Sequence, residues 1–301
     1  MVIPPTTLPE TSAETSDKQV TNIAARREAF RKLHEGGCFV IPNPWDAGTA
    51  RYLRHLGFKA LATTSGGYAF SRGLPDTAGA VSRDSMLAHI AEIAAAVETP
   101  VNADFQSGYA HEPEGVAANV RLCVETGVAG LSIEDATGRR EEPLYELPLA
   151  VERIKAARAA IDASGVDVLL TGRAECYLTG HSDPLRESIR RLQAYAEAGA
   201  DVLYAPGPHT PEEIGAIVKA VSPKPVNVLM GRNTGLRIAD LADMGVRRVS
   251  VGSALARAAW TGFIQAAKKI AEEGSAEGLD GSVSHAELNN LFSKDFTERS
   301  R

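Results

Sequence analysis

The chain has 301 residues, of which 44% are hydrophobic and 23% are charged, so a sizeable core is expected and global disorder is not. Its formal net charge is −6 and it has no run of lysine and arginine, which removes the electrostatic basis for binding nucleic acid or an anionic membrane and favours a small-molecule partner. Cys38, Cys123 and Cys176 show no CxxC spacing, which predicts neither a disulfide framework nor a zinc site and is typical of the reducing cytoplasm.

The N-terminal segment, residues 1–20, is rich in Pro, Thr, Ser and Glu and shows no apolar periodicity, so we expect a flexible arm. It lacks the charged and apolar regions of a secretory signal. No apolar run in the chain approaches the roughly 18 residues of a membrane span. From Thr21 a helical pattern continues to Glu35 and ends at Gly36 and Gly37.

Short apolar runs then alternate with longer amphipathic segments. Many of the runs lack strict polar alternation, which favours parallel strands buried on both faces, while the segments between them carry apolar residues at helical spacing. The count predicts a (β/α)₈ TIM-like barrel over residues 21–273. An open doubly wound sheet is the alternative, but it usually has fewer strands and a GxGxxG turn, which is missing. The eight predicted strands are 38–43, 58–65, 100–105, 128–135, 167–175, 201–206, 225–230 and 247–253.

The last part of the chain, residues 274–301, departs from this alternation. The linker SAEGLDGS leads to a short amphipathic segment, HAELNNLF, which predicts an additional C-terminal helix. A helix this short is marginal alone and needs a surface to pack against. Either its own barrel or a neighbouring subunit could supply that surface.

Polar residues collect where the predicted strands end, which is where a barrel of this kind has its active site. A carboxylate on one strand end is unremarkable, but carboxylates on neighbouring strands indicate a site. Structural ion pairs are the alternative for any one of them. The residues at these positions are Asn43, Trp45 and Asp46, then Ser65, Gly66, Gly67 and Asp76, then Asn102 and Asp104, then Glu134 and Asp135, and finally Arg173 and Glu175.

The chemistry of this set favours a metal-assisted anion pocket. Converging carboxylates repel each other and take up protons unless a cation lies among them. A hard divalent cation such as Mg²⁺ suits oxygen ligands, and Asp104 and Glu134 could hold it directly or through water. The Arg173 guanidinium offers a bidentate grip on a carboxylate or phosphonate, so the set predicts a pocket for a compact anion that develops enolate charge.

The motifs PNPWDAGTAR, TTSGG with GLPD, NAD with GYA, SIEDATG and GRAECY together resemble those of the isocitrate lyase/phosphoenolpyruvate mutase superfamily, from about residue 21 to the end. The resemblance implies a modified (β/α)₈ barrel that depends on Mg²⁺, with Mn²⁺ as the other candidate ion. It implies homo-oligomers, dimers or tetramers, that exchange C-terminal helices. It also implies cleavage or formation of C–C or P–C bonds next to a 2-oxo acid or carboxylate.

The resemblance assigns the substrate side of the site. Residues 65–67 correspond to the substrate-binding Ser-Gly turn, and Asp76 falls near substrate and metal waters. Arg173 corresponds to the substrate-anchoring arginine. Trp45 and Asn102 are expected among the substrate-binding residues as well.

The metal side of the site shows one departure from the family pattern. The two aspartates of the family's DAD motif read Asn102 and Asp104 here, which should weaken the metal site or move direct ligation to Asp104. Glu134 matches the glutamate that holds a metal water. The expected metal ligands are therefore Asp104, Glu134 and Asp76.

The loop after the fourth strand, ATGRREEPLYEL, is a larger departure. It lacks the cysteine of the KKCGH-type lyase loop and the lysines of the phosphonate enzymes, which argues against isocitrate lyase, methylisocitrate lyase and phosphoenolpyruvate mutase proper. Arg139 or Arg140 could clamp a second substrate carboxylate when the loop closes, and Tyr145 or a loop carboxylate could move a proton. A solvated charged surface loop is the alternative.

The sequence as a whole predicts a Mg²⁺-dependent lyase or hydrolase that cleaves a C–C bond of a small 2-oxo or 2-hydroxy (di)carboxylate through an enolate. Arg173, Tyr145 and Glu134 are its candidate catalytic residues. The alternatives are a phosphonopyruvate-type P–C bond enzyme and a non-catalytic keto-acid binder that kept the anion pocket.

Overall fold

The computed structural model describes the backbone of residues 12–299 and the side chains of residues 22–297. The chain divides into two compact units, Met1–Gly252 and Ser253–Arg301. From the sequence, we predict a boundary between the barrel and the C-terminal extension after residue 273. Among the described residues no helix is both long enough and apolar enough to cross a membrane.

The first unit contains eight strands with helices between them. The strands are β1 (Phe39–Ile41), β2 (Leu61–Ala62), β3 (Val101–Asp104), β4 (Gly130–Glu134), β5 (Leu169–Arg173), β6 (Val202–Tyr204), β7 (Val226–Leu229) and β8 (Arg248–Ser250). The helices are α1 (Ser12–Leu33), α2 (Ala47–His55), α3 (Ser65–Ser71), α4 (Arg83–Ala96), α5 (Pro113–Glu125), α6 (Leu147–Ala163), α7 (Pro184–Glu197), α8 (Pro211–Val221) and α9 (Ile238–Asp243).

The second unit is helical. It consists of α10 (Ala254–Lys268), a π-helical turn (Lys269–Glu273), a 3₁₀ turn (Glu277–Leu279) and α11 (His285–Arg299). The predicted C-terminal helix is therefore present, and it is longer than the segment HAELNNLF.

Helix α1 begins at Ser12, earlier than the predicted start at Thr21. Part of the expected arm is therefore helical, because residues 12–20 include the helix formers Ala, Glu, Lys and Gln and contain no proline. The rest of the expected arm, residues 1–11, lies outside the described residues.

The eight strands are parallel and follow the order β1-β8-β7-β6-β5-β4-β3-β2, which confirms the barrel prediction. Asn43, which follows β1, links the end of β2 to the end of β8, where the barrel closes. Its Nδ2 donates to the Thr63 carbonyl at 2.8 Å, and its Oδ1 accepts from the backbone N–H groups of Val251 and Gly252 at 2.9 and 2.8 Å. Asn43 is thus a structural residue at the mouth of the barrel.

The strand residues alternate between the helical layer and the barrel interior, as the pleat of a strand requires. On β4, Leu131 and Ile133 belong to the main apolar core, together with Val120 of α5 and Ile154 of α6. Glu134, the last residue of β4, contacts side chains of the neighbouring strand ends instead. The outer face of the barrel therefore holds the core, and the inner face is left for polar chemistry.

Helix starts are fixed by capping residues and prolines. Proline lies in the first turn of α5, α6, α7 and α8, where its missing N–H costs no helical hydrogen bond. Asp46 and Thr49 form a capping box at the start of α2. Asp46 is therefore a helix cap, although the sequence placed it among the strand-end carboxylates.

Candidate active site

Arg173 lies at the centre of a cluster of carboxylates from three strand ends. Its Nη1 is 3.2 Å from Asp104 Oδ1 and 3.3 Å from Glu134 Oε2. Its Nε donates to Glu175 Oε1 at 2.5 Å. The strand register explains this meeting, because Glu134 of β4 pairs directly with Arg173 of β5. The structure therefore brings together the three residues that the sequence singled out, Asp104, Glu134 and Arg173.

The Ser-Gly-Gly turn is joined to the same cluster through Asp104. The backbone N–H of Ser65, the first residue of α3, donates to Asp104 Oδ2 at 2.9 Å. The Asp104 N–H in turn donates to the Thr63 hydroxyl at 2.9 Å. The Ser65 side chain also lies close enough to Asp76 to oppose the rise in the pKa of that carboxyl, which adds a fifth expected site residue. Gly66 and Gly67 are buried beside it.

The carboxyl groups of Glu134, Glu175 and Asp76 have raised pKa values, chiefly because they are buried. Burial raises the pKa of Glu134 to about 8, with Glu175 and Asp104 adding to the rise and Arg173 opposing it. Burial, and then the charge of Asp104, likewise raise the pKa of Asp76. Raised pKa values mean that these groups tend to take up protons unless a cation beyond Arg173 balances their charge.

The chemistry of the donor set fits a divalent cation. In the part of the chain that the structure describes, no group of three or more His, Cys, Asp or Glu side chains is arranged to hold a metal directly. Asp104 and Glu134 pair with Arg173 instead. However, the available donors are oxygens, and Mg²⁺ keeps several waters and needs few direct protein ligands.

Asp135, the neighbour of Glu134, is a structural residue. Its carboxylate accepts from Tyr195 at 2.5 Å, from Arg191 at 3.1 Å and from the Glu175 N–H at 2.8 Å. These bonds fasten the end of β4 to the end of β5 and to α7. Because every contact of Asp135 is internal, it supports Glu134 and Glu175 rather than facing a ligand.

A row of buried polar side chains supports Arg173 from within the barrel. Arg248 of β8 donates to Asn227 Oδ1 at 2.8 Å, and Asn227 Nδ2 donates to Ser250 Oγ at 2.9 Å. Ser250 lies near Tyr204 and opposes the rise in the pKa of its hydroxyl, and the Tyr204 ring centre lies 5.2 Å from the Arg173 guanidinium carbon. Burial lowers the pKa of Arg248 to about 10. Sequence reasoning missed this row, because its members lie on strands from which no site residue was expected.

Asn102 is not brought into the cluster. It precedes Asp104 by two residues on β3, so it faces the same side one level deeper in the barrel. Its Nδ2 donates to the Ala103 carbonyl, and its buried Oδ1 lies beside Gly130 with no hydrogen-bond partner among the described residues. Asp104, rather than Asn102, thus occupies the position opposite Arg173. The substrate-binding role expected for Asn102 has no contact in its favour.

Tyr145 and Trp45 also lie apart from the cluster in their described contacts. The Tyr145 ring is buried under the Arg153 guanidinium carbon at 4.0 Å and lies 5.2 Å from the His111 ring. Trp45 contributes a backbone N–H that donates to Thr49. The catalytic role of Tyr145 and the substrate-binding role of Trp45 stay predictions.

The loop after β4 folds back on itself and reaches the segment that carries Asp76. Arg139 forms an exposed ion pair with Glu142 at 2.6 Å, and Arg140 is exposed. A Cβ at Gly138 would lie 2.3 Å from the Ala78 Cβ, so the two loops touch at a glycine. This contact places the expected clamp loop beside the Asp76 segment.

The fold and the cluster define a class of protein, a (β/α)₈-barrel enzyme with an arginine and carboxylates at its catalytic face. The profile of the phosphoenolpyruvate phosphomutase family matches residues 30–271. The chain therefore belongs to this family, and the resemblance to the isocitrate lyase/phosphoenolpyruvate mutase superfamily is confirmed.

Three relatives show the range of the superfamily. A crystal structure from Burkholderia cenocepacia J2315, described as a lyase/mutase, is 50% identical over 90% of this chain and 98% of its own, with a TM-score of 0.86. The 2,3-dimethylmalate lyase of Eubacterium barkeri is 27% identical over 84% of this chain and 89% of its own. Oxaloacetate acetylhydrolase, solved with its product oxalate, is 27% identical over 92% of this chain and 97% of its own, with a TM-score of 0.80. The superfamily thus comprises carbon–carbon lyases and phosphomutases that act on small carboxylates.

Proposed function

We propose that the protein is a Mg²⁺-dependent lyase or hydrolase that cleaves a C–C bond of a small 2-oxo or 2-hydroxy dicarboxylate through an enolate. The observation that carries the proposal is a connected set of contacts at three adjacent strand ends. Arg173 pairs with Asp104 and Glu134, and Asp104 accepts a hydrogen bond from the Ser65 N–H. Relatives with lyase and acetylhydrolase activity support the reaction class.

Arg173 is the proposed anchor for a substrate carboxylate. Its guanidinium has several donors in one plane, which suits two carboxylate oxygens at once. In the structure these donors face Asp104, Glu134 and Glu175. A divalent cation among Asp104, Glu134 and Asp76 would compete for those oxygens and leave the guanidinium to the substrate. When bound, the ion would stabilise negative charge that develops on the enolate.

Glu134 is the proposed proton carrier. Burial raises its pKa to about 8, so it can hold and release a proton near neutral pH, and it lies beside Arg173. The turn of Ser65, Gly66 and Gly67 is the proposed wall of the pocket. Its glycines have no side chain to fill the space, and its first N–H already points at a carboxylate oxygen, that of Asp104.

A homo-oligomer, dimer or tetramer, is also part of the proposal. The unit Ser253–Arg301 exposes several large apolar side chains, which a second copy of the chain would cover. They include Trp260, Phe263, Ile264, Ile270 and Phe296. Light scattering coupled to gel filtration would test this point. The cytoplasmic location that the cysteine pattern predicts stays part of the proposal.

A turnover assay tests the reaction. The protein is assayed with oxaloacetate, 2,3-dimethylmalate and phosphonopyruvate, each with Mg²⁺, Mn²⁺ or EDTA. We expect metal-dependent C–C cleavage that is lost in Asp104→Asn and kept in Asp243→Asn, an exposed aspartate at the end of α9. Phosphate release from phosphonopyruvate would favour the P–C alternative. Ligand-induced stabilisation with no turnover would favour the non-catalytic binder.

A further inference from the structure

The segment that follows Asp104 has a strained backbone. Gln106 and Tyr109 have φ angles of +46° and +55°, in the left-handed region that side chains other than glycine rarely enter. Such conformations persist only where the surrounding structure determines them, and they occur preferentially at functional sites.

Two buried side chains hold this segment in place. Arg153, which is fully buried, donates hydrogen bonds to three of its backbone carbonyls, those of Ser107, Ala110 and His111. Asn119 of α5 donates to the carbonyls of Gly108 and Tyr109 at 2.9 and 3.2 Å. The backbone around Tyr109 is therefore fixed on both sides, so its side chain is held in a set direction.

The Tyr109 hydroxyl is buried and has no hydrogen-bond partner among the described residues. Its ring packs against Phe105, with 5.2 Å between ring centres, and a phenylalanine would make the same contact. A buried tyrosine hydroxyl normally finds a partner, and one left without a partner costs stability. No contact among the described residues therefore explains why this position carries a hydroxyl.

The segment that carries Tyr109 borders the site, because the Gln106 carbonyl accepts a hydrogen bond from the Glu134 N–H at 3.0 Å. Burial raises the pKa of Tyr109 well above its usual range, and the charges of Asp104, Glu134 and Asp76 raise it further. These are the carboxylates grouped around Arg173. The phenol therefore stays protonated and can donate a hydrogen bond.

We propose that Tyr109 is a substrate-binding residue whose hydroxyl donates a hydrogen bond to a carboxylate oxygen of the anion held at Arg173. This inference rests on the proposed function and adds one contact to it. The loop after β4 has no lysine, and its Arg139 is held by Glu142. Tyr109 supplies a neutral donor from a segment whose backbone is held by Arg153 and Asn119.

The test compares wild type, Tyr109→Phe and Tyr52→Phe, an exposed tyrosine on α2, by calorimetric titration with oxalate in the presence of Mg²⁺. We expect Tyr109→Phe to weaken oxalate binding by about tenfold to a hundredfold, the range of a hydrogen bond to a charged group. Its melting temperature should equal or exceed that of wild type, because no partner is lost. Tyr52→Phe should match wild type in both measurements.

Each outcome has a distinct meaning. If Tyr109→Phe binds oxalate as wild type does, the inference about Tyr109 is wrong and the proposed function stands. If its melting temperature falls clearly below that of wild type, the hydroxyl has a structural partner and the inference is wrong as well. If wild type itself binds neither oxalate nor oxaloacetate with Mg²⁺, the proposed function fails and Tyr109 has no such role.

Discussion

Replacing Glu134 by glutamine should stabilise the metal-free protein at pH 8 and leave its stability unchanged near pH 4. In the folded protein, burial and the neighbouring carboxylates raise the pKa of Glu134 from its ordinary value of 4.5 to about 8. Between these two values the folded state holds a proton that the unfolded state has released. The contribution of Glu134 to stability is therefore complete below pH 4.5 and is lost as the pH rises through 8.

The size of the effect follows from the shift. Each pKa unit corresponds to about 1.4 kcal/mol, so the upward shift of Glu134 is worth a few kcal/mol of the free energy of unfolding. Glu175 competes for the same guanidinium and has a raised pKa of its own, so part of the effect is shared. We expect Glu134→Gln to exceed wild type by about 2–5 kcal/mol at pH 8.

The assay is urea unfolding in EDTA between pH 4 and 8, with Glu92→Gln, an exposed glutamate on α4, as the matched control. His34 is a buried histidine whose pKa is lowered to about 3, so its contribution to stability rises with pH, opposite to that of Glu134. Because His34 is the same in both proteins, its effect cancels in the difference between variant and wild type. A difference that stays flat from pH 4 to 8, or that falls as the pH rises, would refute the assignment of a raised pKa to Glu134. Saturating Mg²⁺ should reduce the loss of stability in wild type.

Three further substitutions have defined outcomes. Arg173→Lys should lower kcat/KM by at least about a hundredfold in steady-state assays, because an ammonium cannot match the planar donors that reach three carboxylates; near-normal turnover would contradict this. Asn43→Ala should reduce the free energy of unfolding by about 2–4 kcal/mol, since three hydrogen bonds at the barrel mouth are lost, and a loss below about 1 kcal/mol would be evidence against that closure. Gly138→Ala should raise KM, because its Cβ would collide with Ala78, whereas Gly180→Ala, with a similar φ and open space, should leave KM unchanged.

The fold and the centre of the site could be predicted because both follow from the pattern of apolar and polar residues over short stretches of sequence. Buried runs followed by polar residues mark strand ends, and parallel strands bring those ends to one face of a barrel. This is why Asp104, Glu134 and Arg173 were found together. The pattern could not show which of Asn102 and Asp104 lies opposite Arg173, because residues two apart on a strand face the same side and differ only in their depth in the barrel.

Other features depend on tertiary structure. The direction of the Tyr109 side chain is set by hydrogen bonds from Arg153 and Asn119, which lie far away in sequence. The left-handed φ of a tyrosine leaves no mark in composition or spacing. Tyr145, a candidate catalytic residue, is the one aromatic residue of the charged loop after β4, and its ring packs on Arg153. Sequence shows which residue types a loop offers but not which way they point.

The most direct test of the central claim is a crystal structure of the protein soaked with Mn²⁺ and oxalate, with anomalous diffraction measured to locate the metal. We predict an anomalous peak within direct or water-bridged reach of Asp104 and Glu134, and an oxalate carboxylate on the Arg173 guanidinium beside the Ser65 turn. If Mn²⁺ and oxalate lay elsewhere and Arg173 kept its pairs with Asp104 and Glu134, the assignment of this cluster as the active site would be contradicted.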